Sequence, residues 1–137
     1  MTPATPLPTE LLLLGWSVVL LLAHIVLQGV TATREQGLTY NAGPRDAAPK
    51  PLGTVAARAR RTLDNFRETY PAFVALALAL AVSGRTGGVG ATGAWLWLVA
   101  RVVYVPLYVL GVPWLRSVVW AIGLIGLVLM VVRLLAG

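Results

Sequence analysis

Between Leu11 and Val30 the chain runs for 20 residues without one Asp, Glu, Lys or Arg. Few folds accommodate such a run. As a helix rising 1.5 Å per residue it reaches about 30 Å, the thickness of a bilayer's hydrocarbon core. Its apolar side chains come as a block, so every face of the helix is hydrophobic, and that suits lipid on the outside. A cleaved leader would carry a basic segment ahead of the run, whereas here Glu10 stands in that position and no Lys or Arg precedes it. The run is therefore expected to remain as a first membrane helix, about residues 11–30.

Composition extends the same argument to the rest of the chain. Hydrophobic residues make up 58% and charged residues 12% of the 137 positions, and the mean hydropathy is +0.79. A soluble domain carries roughly 25% charged residues to cover its surface. The length suits one domain, residues 1–137. There is no cysteine and only one histidine, His24. A disulfide framework, thiolate metal ligation and a protein thiol nucleophile are thereby excluded, and no metal site is expected. His24 is expected to pack between helices. The net charge of +6 does not point to nucleic acid, because most of the cations crowd one loop, as orientation signals do.

Residues 31–53 are polar and hold Gly37, Gly43, Pro44, Pro49 and Pro51, which predicts a loop. A second helix is expected over about residues 54–83, with Thr54 as its N-cap. Its first half is charged and its second half, residues 72–82, is wholly apolar. At about 45 Å such a helix projects beyond the lipid into water. A glycine-rich turn follows, then helices over about residues 92–110 and 114–135, with Pro106 inside the third and a Gly111–Pro113 turn between them. The resulting fold class is all-α, an integral membrane bundle of four spanning helices. Trp95, Trp97, Trp114 and Trp120 are expected in the interfacial aromatic belts.

Cations set the orientation. Arg34, Arg45, Lys50, Arg58, Arg60, Arg61, Arg67 and Arg116 fall on one side, against Arg85 and Arg133 on the other. Both termini are therefore expected outside and the 31–53 loop in the cytoplasm.

Ionisable groups close to a membrane core need a reason, since each costs about 2.5–3.5 kcal/mol at a helix centre. On the second helix Arg58, Arg61, Asn65 and Glu68 share one face at spacings of three and four, while Arg60, Asp64 and Arg67 lie largely on another. On the third helix Arg101, Tyr104 and Tyr108 form a second stripe, and Arg116 follows past its end. Arginines at helix ends often only snorkel to headgroups, and tyrosines populate interfaces. An amide and a carboxylate on the same face gain nothing from lipid, so the Arg61, Asn65 and Glu68 set reads as a site or as a polar network joining helices. As a site it suits a small anionic ligand bearing carboxylates and amides, because guanidinium forks grip carboxylates and Glu68 can accept from an ammonium group.

At these residues the chain resembles the MAPEG family, the membrane-associated proteins of eicosanoid and glutathione metabolism. The resemblance covers nearly the whole chain in helix order and length. Its most specific part is RTLDNFRETYPAF at residues 61–73, an Arg-x-x-x-Asn-x-x-Glu-x-x-Pro pattern. RVVYVPLY at residues 101–108, followed by Gly111 and Arg116, is the second part. The loop segment YNAGPRD at residues 40–46 is similar to a bacterial branch, which implies a bacterial inner membrane as the location. Thr69 and Leu63 stand where leukotriene-conjugating members have tyrosine and glutamine.

The resemblance implies a homotrimer that binds glutathione, as co-substrate, in sites shared between adjacent subunits. It implies addition of the glutathione thiol to lipophilic electrophiles in the membrane, or reduction of lipid hydroperoxides. Arg34, Arg58, Arg61, Asn65, Glu68, Arg101 and Tyr108 would contact glutathione. Arg116, with Tyr104, would stabilise the thiolate. The rival readings are a non-catalytic scaffold or lipid-binding member of the family and, from a different class, a small transporter. The last lacks the inverted repeats and paired broken helices that transporters use.

Overall fold

The computed structural model describes residues 2–137 and is all-helical, with no strand among them. Five helices follow in order: α1 (Thr9–Gln36), α2 (Leu38–Ala42), α3 (Thr54–Val82), α4 (Gly88–Val109) and α5 (Pro113–Ala136). Four are long, and α2 is a single five-residue turn of helix. By length and composition α1, α4 and α5 can cross a membrane. The second helix of the sequence reading, α3, does not meet that measure, because six charged residues crowd its length from Arg58 to Glu68. Three apolar spans, rather than the four expected, make this an integral membrane protein.

The expected loop over residues 31–53 is shorter than its polarity suggested. Helix α1 continues six residues beyond Val30, to Gln36. Loss of apolar character marks where a helix leaves lipid, whereas the helix itself stops only at Gly37, with φ 88°. Past α2 the chain is pinned back: Asn41 donates to Thr33 Oγ1 at 2.6 Å, Gln36 to the Lys50 carbonyl at 2.8 Å, and the Gly53 N–H to Glu35. The third long helix also begins earlier than expected, at Gly88 rather than near Thr92. Its turn is stapled by Glu10, fully buried, which accepts from the Gly87 N–H at 2.7 Å. At the same end Arg133 donates to the Arg85 carbonyl at 3.0 Å. The two cations assigned to the sparsely charged side thus meet.

The core gathers Leu13 from α1, Phe66, Phe73, Ala77 and Leu80 from α3, Ala94, Trp97 and Leu98 from α4, and Leu127 and Met130 from α5. Trp97 is its centre, stacked on Phe73 with ring centroids 4.0 Å apart. It therefore does not sit in an interfacial belt, as the sequence suggested, since its position on α4 points it at α3. Trp95 and Trp114 are exposed, as belt residues would be. The most extensive helix contact is α4 on α5, where backbones touch. A Cβ on Gly126 would fall 2.7 Å from the Trp97 nitrogen, and one on Gly93 would clash with the Gly126 carbonyl. Small residues that let backbones approach replace the hydrophobic effect as the means of helix association in lipid.

Candidate functional site

One polar cluster sits where the first half of α3 meets the end of α4 and the start of α5. Its deepest member is Arg101, only 2% exposed. Its Nη1 donates to the Asn65 Oδ1 at 2.8 Å, and its guanidinium carbon lies 4.8 Å from the Tyr104 ring centre and 5.5 Å from that of Phe66. Its Nε and Nη2 are buried without a partner. A buried guanidinium with unmet donors is costly unless a further acceptor reaches it.

Tyr108 organises the outer part. Its hydroxyl accepts from Arg61 Nε at 3.0 Å, and Arg116 lies over its ring, 4.6 Å from the centre. Tyr104 and Tyr108, one turn apart, have ring centroids 5.5 Å apart. Arg58 caps α4: its Nη1 donates to the Val109 carbonyl at 3.0 Å, where a cation meets the negative helix end. Gly111, with φ 76°, has no side chain to block that guanidinium; a Cβ there would lie 2.7 Å from Nη2.

A cleft of about 510 Å³ opens beside this cluster, lined by Asn65, Tyr104, Tyr108, Arg116, Ser117 and Trp120. That volume is within the roughly 300–1,000 Å³ of small-molecule sites. The cleft offers a guanidinium, two phenols, an amide and a hydroxyl, and the Trp120 Nε1 is buried without a partner. No carboxylate lines it, so it is built to receive negative charge.

The expected residues divide accordingly. Arg58, Arg61, Asn65, Arg101, Tyr104, Tyr108 and Arg116 come together. Of these, Asn65, Tyr104, Tyr108 and Arg116 line the cleft, while Arg58, Arg61 and Arg101 stand beside it; Glu68, exposed one turn beyond Asn65, and Arg34, exposed in the last turn of α1, are outside the cluster. Arg116 stands in the first turns of α5, within the helix expected over residues 114–135, and its guanidinium lies on the Tyr108 ring. Ser117 and Trp120 were missed as site residues. Their spacing of one and four from Arg116 on a helix starting at Pro113 was the available signal. The segment containing Tyr40 and Arg45 lines a separate cleft with Gln36 and Lys50.

The sequence model of the MAPEG family matches residues 13–136. No curated protein and no solved structure matches the chain.

Proposed function

The chain belongs to the MAPEG family, and from that premise we propose that it is a glutathione-dependent transferase or peroxidase acting on lipophilic electrophiles dissolved in the membrane. The observation that carries this reading is a carboxylate-free cleft bordered by Asn65 and the Tyr108–Arg116 stack, with Arg101 held behind Asn65 and two of its nitrogens buried without a partner. Glutathione brings two carboxylates, amides, an ammonium group and a thiol. Arg61, Asn65 and Arg101 supply donors for its carboxylates and amides, and Glu68 an acceptor for its ammonium.

The chemistry needs little machinery. A free thiol with a pKa near 8.5 is only a few per cent thiolate at neutral pH. Lowering that value by about two units takes roughly 2.7 kcal/mol of preference for the thiolate. One or two charge-assisted hydrogen bonds, from Arg116 and the Tyr104 hydroxyl, are of that size. The thiol proton leaves to solvent, and the sulfur lone pair forms the bond to the electrophilic carbon while the electrophile's own leaving group or π-electrons accept the charge.

Assembly as a homotrimeric bundle, α3 completing four spans, completes the proposal. Arg60, Arg61, Asp64, Arg67 and Glu68 are all exposed on a helix flanked by apolar spans. A second and third copy would cover that surface and bring Glu68, and Arg34 from a neighbouring α1, to the cleft. The cation asymmetry favours both termini outside and the cleft at the cytoplasmic face, open to cytoplasmic glutathione, and the likeness of residues 40–46 to a bacterial branch favours a bacterial inner membrane.

A second reading, a non-catalytic scaffold or lipid-binding member, draws on one observation: Arg58 and Arg61 already have partners within the chain. Such a network ties α3 to α4 with no ligand. Calorimetric titration of the purified protein with glutathione separates the two. Saturable binding at up to millimolar concentration is expected, and its absence would leave the scaffold. Mass measurement in nanodiscs tests the assembly, with three copies expected and a stable monomer ruling out a shared site.

A further inference from the structure

His24 lies near the middle of α1, 2% exposed, and both of its ring nitrogens are buried without a partner. Its ring packs on Phe66, centroids 4.9 Å apart, and Arg101 sits against the same Phe66 ring. A neutral imidazole carries one N–H donor and one acceptor, and buried polar atoms of folded proteins almost always find partners. Helix packing therefore accounts for the ring of His24 but not for its nitrogens.

A cleft supplies the missing context. His24 lines a space of about 450 Å³ with Leu20, Ala23, Leu27, Val102 and Pro106. Leu20, Ala23 and Val102 also border a second, similar space that runs on to Leu13, Trp16 and Trp95. The two form one groove between α1 and α4. From Leu13 to Leu27 it follows fourteen residue steps of helix, about 21 Å. Apart from His24 the lining is apolar, and none of it belongs to the cleft beside Tyr108.

We propose that this groove binds a neutral, long-chain lipophile bearing a carbonyl or hydroxyl oxygen, with the chain along α1 and the oxygen hydrogen-bonded to His24. Depth fixes the chemistry. His24 is six residues inside the end of the apolar run at Val30, about 9 Å below the point where α1 leaves lipid. A phosphate headgroup at that depth would be prohibitively desolvated, whereas a quinone or long-chain ketone reaches it uncharged. An apolar site with one placed polar group is the usual form of a small-molecule pocket.

The test uses the full-length protein in nanodiscs without glutathione, so its result is independent of the glutathione reading. The probe is a benzoquinone with a decyl tail, which quenches tryptophan fluorescence, and Trp16 and Trp95 line the groove. Saturable quenching is expected. His24→Phe keeps an aromatic ring against Phe66 and should weaken quinone binding about tenfold, the size of one lost hydrogen bond. Ala23 is exposed and borders both halves of the groove, so Ala23→Phe should remove the saturable component while leaving thermal stability unchanged. A decyl benzene lacking oxygen should bind the protein and His24→Phe equally. Equal quinone affinity in His24→Phe and unmutated protein overturns the proposal, as does purely linear quenching of the unmutated protein. If Ala23→Phe leaves quinone binding intact but changes the assembled mass, the groove is a seam between copies and the proposal fails.

Discussion

Arg101 of α4 donates to the amide oxygen of Asn65 on α3 at 2.8 Å, across the meeting of the two helices. This bond joins the two polar stripes into one site, and it is the only acceptor the Arg101 guanidinium has among the described residues. Removing it should be felt in stability before it is felt in function. Asn65→Ala leaves a buried cation without an acceptor and is expected to cost about 1.5–3 kcal/mol, the worth of a hydrogen bond to a charged group. Asn65→Leu combined with Arg101→Leu removes the charge together with its partner and should recover much of that loss. Detergent-induced unfolding followed by circular dichroism measures both. A double variant no more stable than Asn65→Ala would show that the pair is not energetically coupled.

The α4–α5 seam makes a second prediction. Gly126 abuts the Gly93 and Trp97 backbones, and no flexible side chain is there to yield. Gly126→Leu must push the helices apart and should destabilise by at least the 1–3 kcal/mol typical of overpacking. Gly29, with nothing within 4 Å of its would-be Cβ, tolerates the same change. Thermal stability of Gly126→Leu matching that of Gly29→Leu would contradict this packing.

Legibility from sequence followed the physics of each feature. Long, mostly apolar runs announce helices in lipid, so α1, α4 and α5 are evident. The α3 stripe was evident too, because Arg58, Arg61 and Asn65 repeat at helical spacing. What periodicity does not carry is the rotation of one helix against its neighbour. Trp97 therefore reads as interfacial although α4 turns it into the core, and nothing in the spacing of Arg116 announces that α5 sets it on Tyr108. The run from Thr31 to Gln36 reads as loop by polarity because the helix emerges into water there, while its hydrogen bonding continues. The groove at His24 was invisible for the same reason: it exists only in the relation of α1 to α4.

Orientation is tested by labelling. The chain has no cysteine, so single cysteines can be placed at Thr2 and Ala47, both exposed. In intact cells an impermeant thiol reagent should reach the Thr2 position and spare Ala47 until the membrane is opened. The reverse pattern would invert the topology and remove the cleft beside Tyr108 from cytoplasmic glutathione.

The chemistry of the cleft gives the last prediction. Arg61 and Arg116 converge on Tyr108 in different ways, one at its hydroxyl and the other on its face. Binding and thiolate formation should therefore respond to different substitutions. On the proposed reading, Arg61→Ala and Glu68→Gln each take one charged group from the glutathione site and are expected to weaken binding by about 1.5–3 kcal/mol, roughly tenfold to a hundredfold. Arg116→Ala is expected to bind glutathione nearly normally but to form less thiolate. Tyr108→Phe removes the acceptor that positions Arg61 yet keeps the ring beneath Arg116, so it should lower affinity and leave the thiolate fraction of bound glutathione unchanged. Ultraviolet absorbance reports thiolate directly, and titrating each purified variant with glutathione reads affinity and ionisation together. If Arg116→Ala and Arg61→Ala lower affinity equally and leave the thiolate fraction untouched, Arg116 is a binding residue, and the division of labour around Tyr108 fails.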